Sequence, residues 1–143
     1  MSTPTQIVDG RGTKNKAVVT NIGQLVTAPF SYDDTQFKEL AEVDTAYNFY
    51  KPKAGQQAVL TGCIARADKQ VSSTVDATVI VYEATSATTT NISKTLLQFA
   101  MVQGDIISLL PLNIIVNEGK FINAKTTDDD IHMNLFGYFI PKL

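Results

Sequence analysis

The sequence predicts an all-β protein: a jelly-roll-like antiparallel β-sandwich behind an extended N-terminal arm. Three observations carry this expectation. Short apolar or β-branched runs recur down the chain, each closed by Gly, Pro, Asn or Asp. Only one stretch has helical spacing, near residue 37. No segment repeats at a fixed period, which argues against a solenoid or propeller. About eight short strands divided by turn signals fit two packed sheets better than an α/β fold.

Length and charge bound the rest. With 143 residues the chain has room for one domain, which buries roughly two-thirds of its unfolded surface. A hydrophobic fraction of 44% supports a packed core rather than disorder. The net charge of -2 offers no general attraction to nucleic acid or anionic lipid, so neither is expected as a partner. The first residues, Met1 to Gln6, lack the basic start and apolar stretch of a signal peptide. The longest apolar run, Ile106 to Val116, is too short to span a bilayer and contains Pro111. The expectation is a soluble protein made in a cytoplasm.

The elements follow in order. Residues 1–29 read as the arm and residues 30–143 as the sandwich domain. In the arm, Ala17-Val18-Val19 and Leu25-Val26 flank Asn21-Ile22-Gly23, a pattern suited to a small hairpin. So few apolar residues cannot hold a hairpin alone, so the arm must lie on its own domain or on a neighbour, the alternative being a frayed tail. Phe30 to Glu42 holds the helix candidate, with Asp33 or Asp34 as cap and Phe37, Leu40 and Ala41 at i, i+3 and i+4. Strands are then expected over Thr45–Tyr50, Gln57–Ala67, Ala77–Glu83, Thr95–Met101 and Gly119–Lys125. Asp105–Leu110 and Leu112–Val116 form a pair broken at Pro111, which cannot donate a ladder hydrogen bond. Ala77–Glu83, dense in β-branched residues, reads as a central strand buried on both faces. In the last strand Ile131, Met133 and Leu135 alternate with His132 and Asn134. Phe136 to Ile140 then turns apolar on both sides, as a subunit contact would.

Catalytic chemistry finds little support. His132 is the single histidine, and a Ser–His–Asp arrangement would have to use it with Asp128, Asp129 or Asp130 as orienter. No Gly-x-Ser-x-Gly elbow supplies a nucleophile. His132 is expected on the polar face of the last strand. Cys63, the single cysteine, excludes an intrachain disulfide and a Cys-rich zinc site, and its strand setting predicts a buried, inert thiol. The run Asp128–Asp130 lacks EF-hand spacing and reads as a solvated turn that discourages edge pairing. Asp9-Gly10-Arg11-Gly12-Thr13 lacks the Gly-Lys-Ser/Thr ending of a phosphate loop. Tyr47, Phe49 and Tyr50 are expected in a core or interface rather than on a glycan platform. No enzyme, cofactor, metal or small-molecule ligand is expected.

Ile7-Val8-Asp9-Gly10-Arg11-Gly12-Thr13, then Gly23-Gln24-Leu25-Val26-Thr27, resembles the start of small virion structural proteins of tailed bacteriophages. Later stretches, Ala58 to Ala65 around Leu60-Thr61-Gly62 and Thr78 to Ser86, are similar in style. The resemblance implies a capsid decoration (cement) subunit of jelly-roll type, assembled in the host cytoplasm onto the virion. Its partners would be the major capsid protein or other virion proteins, with homotrimeric association. A tail or fibre-attachment component, or a receptor- or glycan-binding sandwich, are the alternatives. The expected assembly contacts are Val8, Arg11, Lys14, Val18, Val19, Leu25 and Val26 on the arm, with Phe136 and Tyr138 on the last strand.

Overall fold

A computed structural model describes residues 6–8, 16–18, 36–68 and 74–141. The chain forms two compact units, Met1–Phe30 and Ser31–Leu143. In the first, β1 (Gln6–Val8) pairs antiparallel with β2 (Lys16–Val18), Ile7 opposite Ala17. A hairpin is present, but with another partner than the sequence suggests. Ala17 and Val18 pair upstream with Gln6 and Ile7, whereas the expected Gly23 turn and Leu25-Val26 lie outside the described residues.

The second unit is an all-β sandwich of two antiparallel sheets. Its strands are β3 (Gln36–Leu40), β4 (Tyr47–Tyr50), β5 (Gln56–Ala67) and β6 (Ala77–Ala84). They continue as β7 (Lys94–Met101), β8 (Ile106–Leu109), β9 (Ile114–Ile115), β10 (Phe121–Thr126) and β11 (Ile131–Pro141). One sheet has the order β4-β10-β6-β7, and the other β3-β11-β5-β8 with β9 also on β5. Apart from the β6–β7 hairpin, each connection from β3 to β8 crosses between sheets, as do β9–β10 and β10–β11. Among the described residues there is no helix.

Of the helix expected within Phe30–Glu42, the described part is corrected to strand β3, and the cap candidates Asp33 and Asp34 lie outside the described residues. This strand pairs with β11 from Leu40 opposite Ile131 to Gln36 opposite Leu135. Phe37 and Leu40, three apart, share a helix face but point to opposite sides of a strand. Accordingly Leu40 is fully buried while Phe37 is exposed. Tertiary pairing with a long neighbour overrides so short a helical stripe. The expected pair around Pro111 is also rearranged. β8 and β9 do not pair with each other; both lie along β5, opposite Cys63–Arg66 and Val59–Leu60.

The core lies between the sheets, where alternation places it. Leu60, Cys63, Ala65, Ile131, Met133 and Leu135 face Val79, Val81, Ile122 and Ala124. β6 is an inner strand, as its β-branched run predicts, but it is not buried on both faces throughout: Val79 and Val81 are buried inward while Thr78 and Ile80 are only half-buried on the outer side. The β5–β11 ladder shifts register between Phe136 and Gly137, opposite Gly62 and Leu60. This bulge leaves Thr61 without a partner residue and lets the ladder resume in the same sense. Gly137 is needed there, because a Cβ would stand 2.6 Å from the Val59 carbonyl oxygen. At one end of the sandwich, buried Glu83 accepts the Asn117 backbone N–H at 2.8 Å and its Nδ2 at 3.0 Å. That fixes the turn into β10, where Gly119 takes a φ of 74°.

Candidate assembly face

The two sheets present contrasting outer surfaces. On the four-stranded sheet the outward residues are mainly polar, among them Asn48, Asn123, Gln98 and Lys125. The β6–β7 loop folds back over them. Tyr82 Oη donates to the Thr89 carbonyl at 2.8 Å, and Asn123 Nδ2 to the Ser86 and Thr89 carbonyls at 3.0 and 3.2 Å. Asn48 Nδ2 donates to Asn123 Oδ1 at 2.9 Å. Tyr82 and Asn123 are fully buried as a result. The loop covers the part of this face around Tyr82 and Asn123, while Gln98 and Ala100 on β7 remain exposed.

The five-stranded sheet is different. Its register sets outward residues in rows across the strands. The first row is Glu39, His132, Arg66 and Ile106, and the second is Phe37, Asn134, Ile64 and Ser108. Further along come Phe136 beside Gly62, and then Tyr138, Val59 and Ile115. Leu110 and Phe136 close over Gly62, where a Cβ would overlap the Leu110 side chain. Charge is thus gathered at one end, and beyond it apolar side chains alternate with Asn134 and Ser108. Phe37 is 60% exposed, Ile106 71%, Leu110 46% and Ile115 53%. Several large apolar side chains exposed on one sheet face are a feature of interaction surfaces.

A shallow groove of about 330 Å³ opens on this face between Phe37, Ile64, Arg66, His132 and Asn134. The His132 ring stacks on Phe37 with centroids 6.0 Å apart. Its Nε2 lies 3.4 Å from Asp68 Oδ2, which Arg66 approaches to 3.9 Å. The imidazole sits on the outer face as expected, but its carboxylate neighbour is Asp68, not Asp128, Asp129 or Asp130. An exposed ion pair of this kind contributes little to stability. Asp130 instead turns the chain at a φ of 56°, and Asp129 is exposed. Among the described residues no three His, Cys, Asp or Glu side chains are arranged to hold a metal ion. Cys63 is buried against the core, and desolvation pushes its thiol up to about 12.

Of the expected contact residues, Phe136 and Tyr138 lie half-buried on this outer face. Val8 and Val18 fall on β1 and β2. Arg11, Lys14, Val19, Leu25 and Val26 lie outside the described residues. Phe37, Ile64, Ile106, Leu110 and Ile115 were not legible as surface. The strand parity of 106, 108 and 115 relative to β5 becomes known only from the pairing. Phe49 and Tyr50 pack in the core, and the Tyr47 hydroxyl accepts the Glu42 N–H at 3.0 Å. These aromatics form no open platform for a sugar ring. No family model, curated protein or solved structure matches the chain.

Proposed function

We propose that the chain is a virion structural subunit, a decoration (cement) protein that stabilises a bacteriophage head by protein–protein contacts. The observation that carries this reading is the contrast between the two outer faces: one is mainly polar and partly covered by its own loop, and the other exposes the large apolar side chains Phe37, Ile106, Leu110 and Ile115. The strip Ile106, Leu110 and Ile115 along the β8–β9 edge is the surface offered to a neighbouring virion protein. Counting β8 with β9 as one strand, the eight strands from β3 run in the order 1-8-3-6 in one sheet and 2-7-4-5 in the other. This double crossover supports a jelly-roll reading, an architecture used by capsid proteins among others. Fold alone does not fix function, so the weight rests on the open face and on the N-terminal resemblance. Many symmetric copies multiply a modest affinity per site through effective concentration. Threefold association belongs to the same reading.

Averaged density of the intact particle tests it. Hundreds of copies on the head support it, and a handful at the tail assign the subunit to the tail. Absence from the particle overturns both. Ile106→Asp with Ile115→Asp should abolish attachment while leaving the thermal transition unchanged, since both side chains already face solvent.

A further inference from the structure

The charged row and the apolar rows of the open sheet are arranged to complement themselves. Across β3, β11 and β5 the first row reads Glu39, His132, Arg66, with β11 in the middle. The second row reads Phe37, Asn134, Ile64 on the same three strands. Neighbouring strands are about 4.8 Å apart, so Glu39 and Arg66 stand roughly equally far on either side of β11. A two-fold axis lying along β11 and above it exchanges the two flanks and keeps each row at its own level.

We infer that the part of this face centred on β11 is an interface between two copies of this chain, related by such an axis. Glu39 of each copy then meets Arg66 of the other, and Phe37 of each meets Ile64 of the other. The outward β11 residues His132, Asn134, Phe136 and Tyr138 meet their own counterparts near the axis. The contact is isologous, so the Glu39–Arg66 and Phe37–Ile64 pairs each occur twice. Two sheets packed with strands nearly aligned lie about 10 Å apart, a gap that long side chains from both faces fill. A two-fold axis across the strands is disfavoured, because it would lay the charged row on Phe136 and Tyr138 and bury unpaired charges. Ile106 and Ile115, on β8 and β9, lie to one side of the β11-centred contact and remain available to another partner. The inference therefore stands apart from attachment to a virion, and either can fail without the other.

Analytical ultracentrifugation of the full chain at tens of micromolar tests it with a charge-swap series. Wild type should sediment with twice the mass of Glu39→Arg or Arg66→Glu, because each single change creates two like-charge pairs. The self-association constant should weaken at least about tenfold in either. The double variant, with both changes, should recover the wild-type mass, and Phe37→Asp should match the single swaps. Glu39, Arg66 and Phe37 are all exposed, so thermal transitions should be unaffected and report folding separately. Equal masses for wild type and the single swaps would overturn the interface, as would a double variant that fails to recover.

Discussion

Tyr50 Oη donates a 2.9 Å hydrogen bond to the Leu135 carbonyl oxygen, joining the edge strand of one sheet to a central strand of the other. Tyr50 also packs edge-on against Phe139, with centroids 6.2 Å apart. The contact lies next to the bulge at Phe136–Gly137 and braces it from inside the sandwich. Tyr50→Phe keeps the ring but leaves this carbonyl without that donor. It should cost about 1–2 kcal/mol in chemical denaturation, with the slope unchanged.

Thr61 gives the opposite sign. Its hydroxyl is a buried side-chain oxygen without a hydrogen-bond partner. Thr61→Val replaces that hydroxyl with a methyl group of nearly the same shape. Calorimetry should show stabilisation of about 1 kcal/mol, or roughly 3–4 °C in Tm.

Gly137 leaves no room for a side chain beside the Val59 carbonyl. Gly137→Ala must move backbone rather than a flexible side chain, and should destabilise by about 1–3 kcal/mol or more. Gly55→Ala, with open space at its Cβ position but a φ of 70°, should cost about 1 kcal/mol through conformation alone. Equal losses at the two sites would contradict this distinction.

Burial pushes the pKa of the Cys63 thiol up to about 12, well above that of an ordinary thiol. Below pH 9 the folded and unfolded chains bind the same proton, and the associated stability is fully present. Between about pH 9 and 12 the unfolded thiol ionises first, so this contribution falls as pH rises. Cys63→Ala should flatten that part of the stability–pH curve. In native protein a thiol reagent at pH 8 should leave Cys63 unmodified until denaturant is added.

Asn123 clamps the β6–β7 loop through its bonds to Ser86 and Thr89. Asn123→Ala should release that loop and uncover Tyr82. Faster amide exchange confined to residues 85–93 would show it, with a loss of about 2 kcal/mol in overall stability. Unaltered exchange there would mean that other contacts hold the loop.

The strand-rich class, the central place of Ala77–Ala84 and the inward set Ile131, Met133 and Leu135 were all legible in local patterns. Alternation and β-branched density are properties of a few consecutive residues, so a single segment is enough to read them. Phe37, Ile106 and Ile115 are another matter. Each is apolar and would be assigned to a core from sequence, yet each faces outward. Which side of a strand is covered depends on its partner's register and on what packs above the sheet, and one residue of slip reverses it. Only the long-range pairing of β11 with β3 and β5 converts the apparent helix at Phe37 into an edge strand. The same pairing brings Glu39 and Arg66 into one row and leaves an apolar face uncovered.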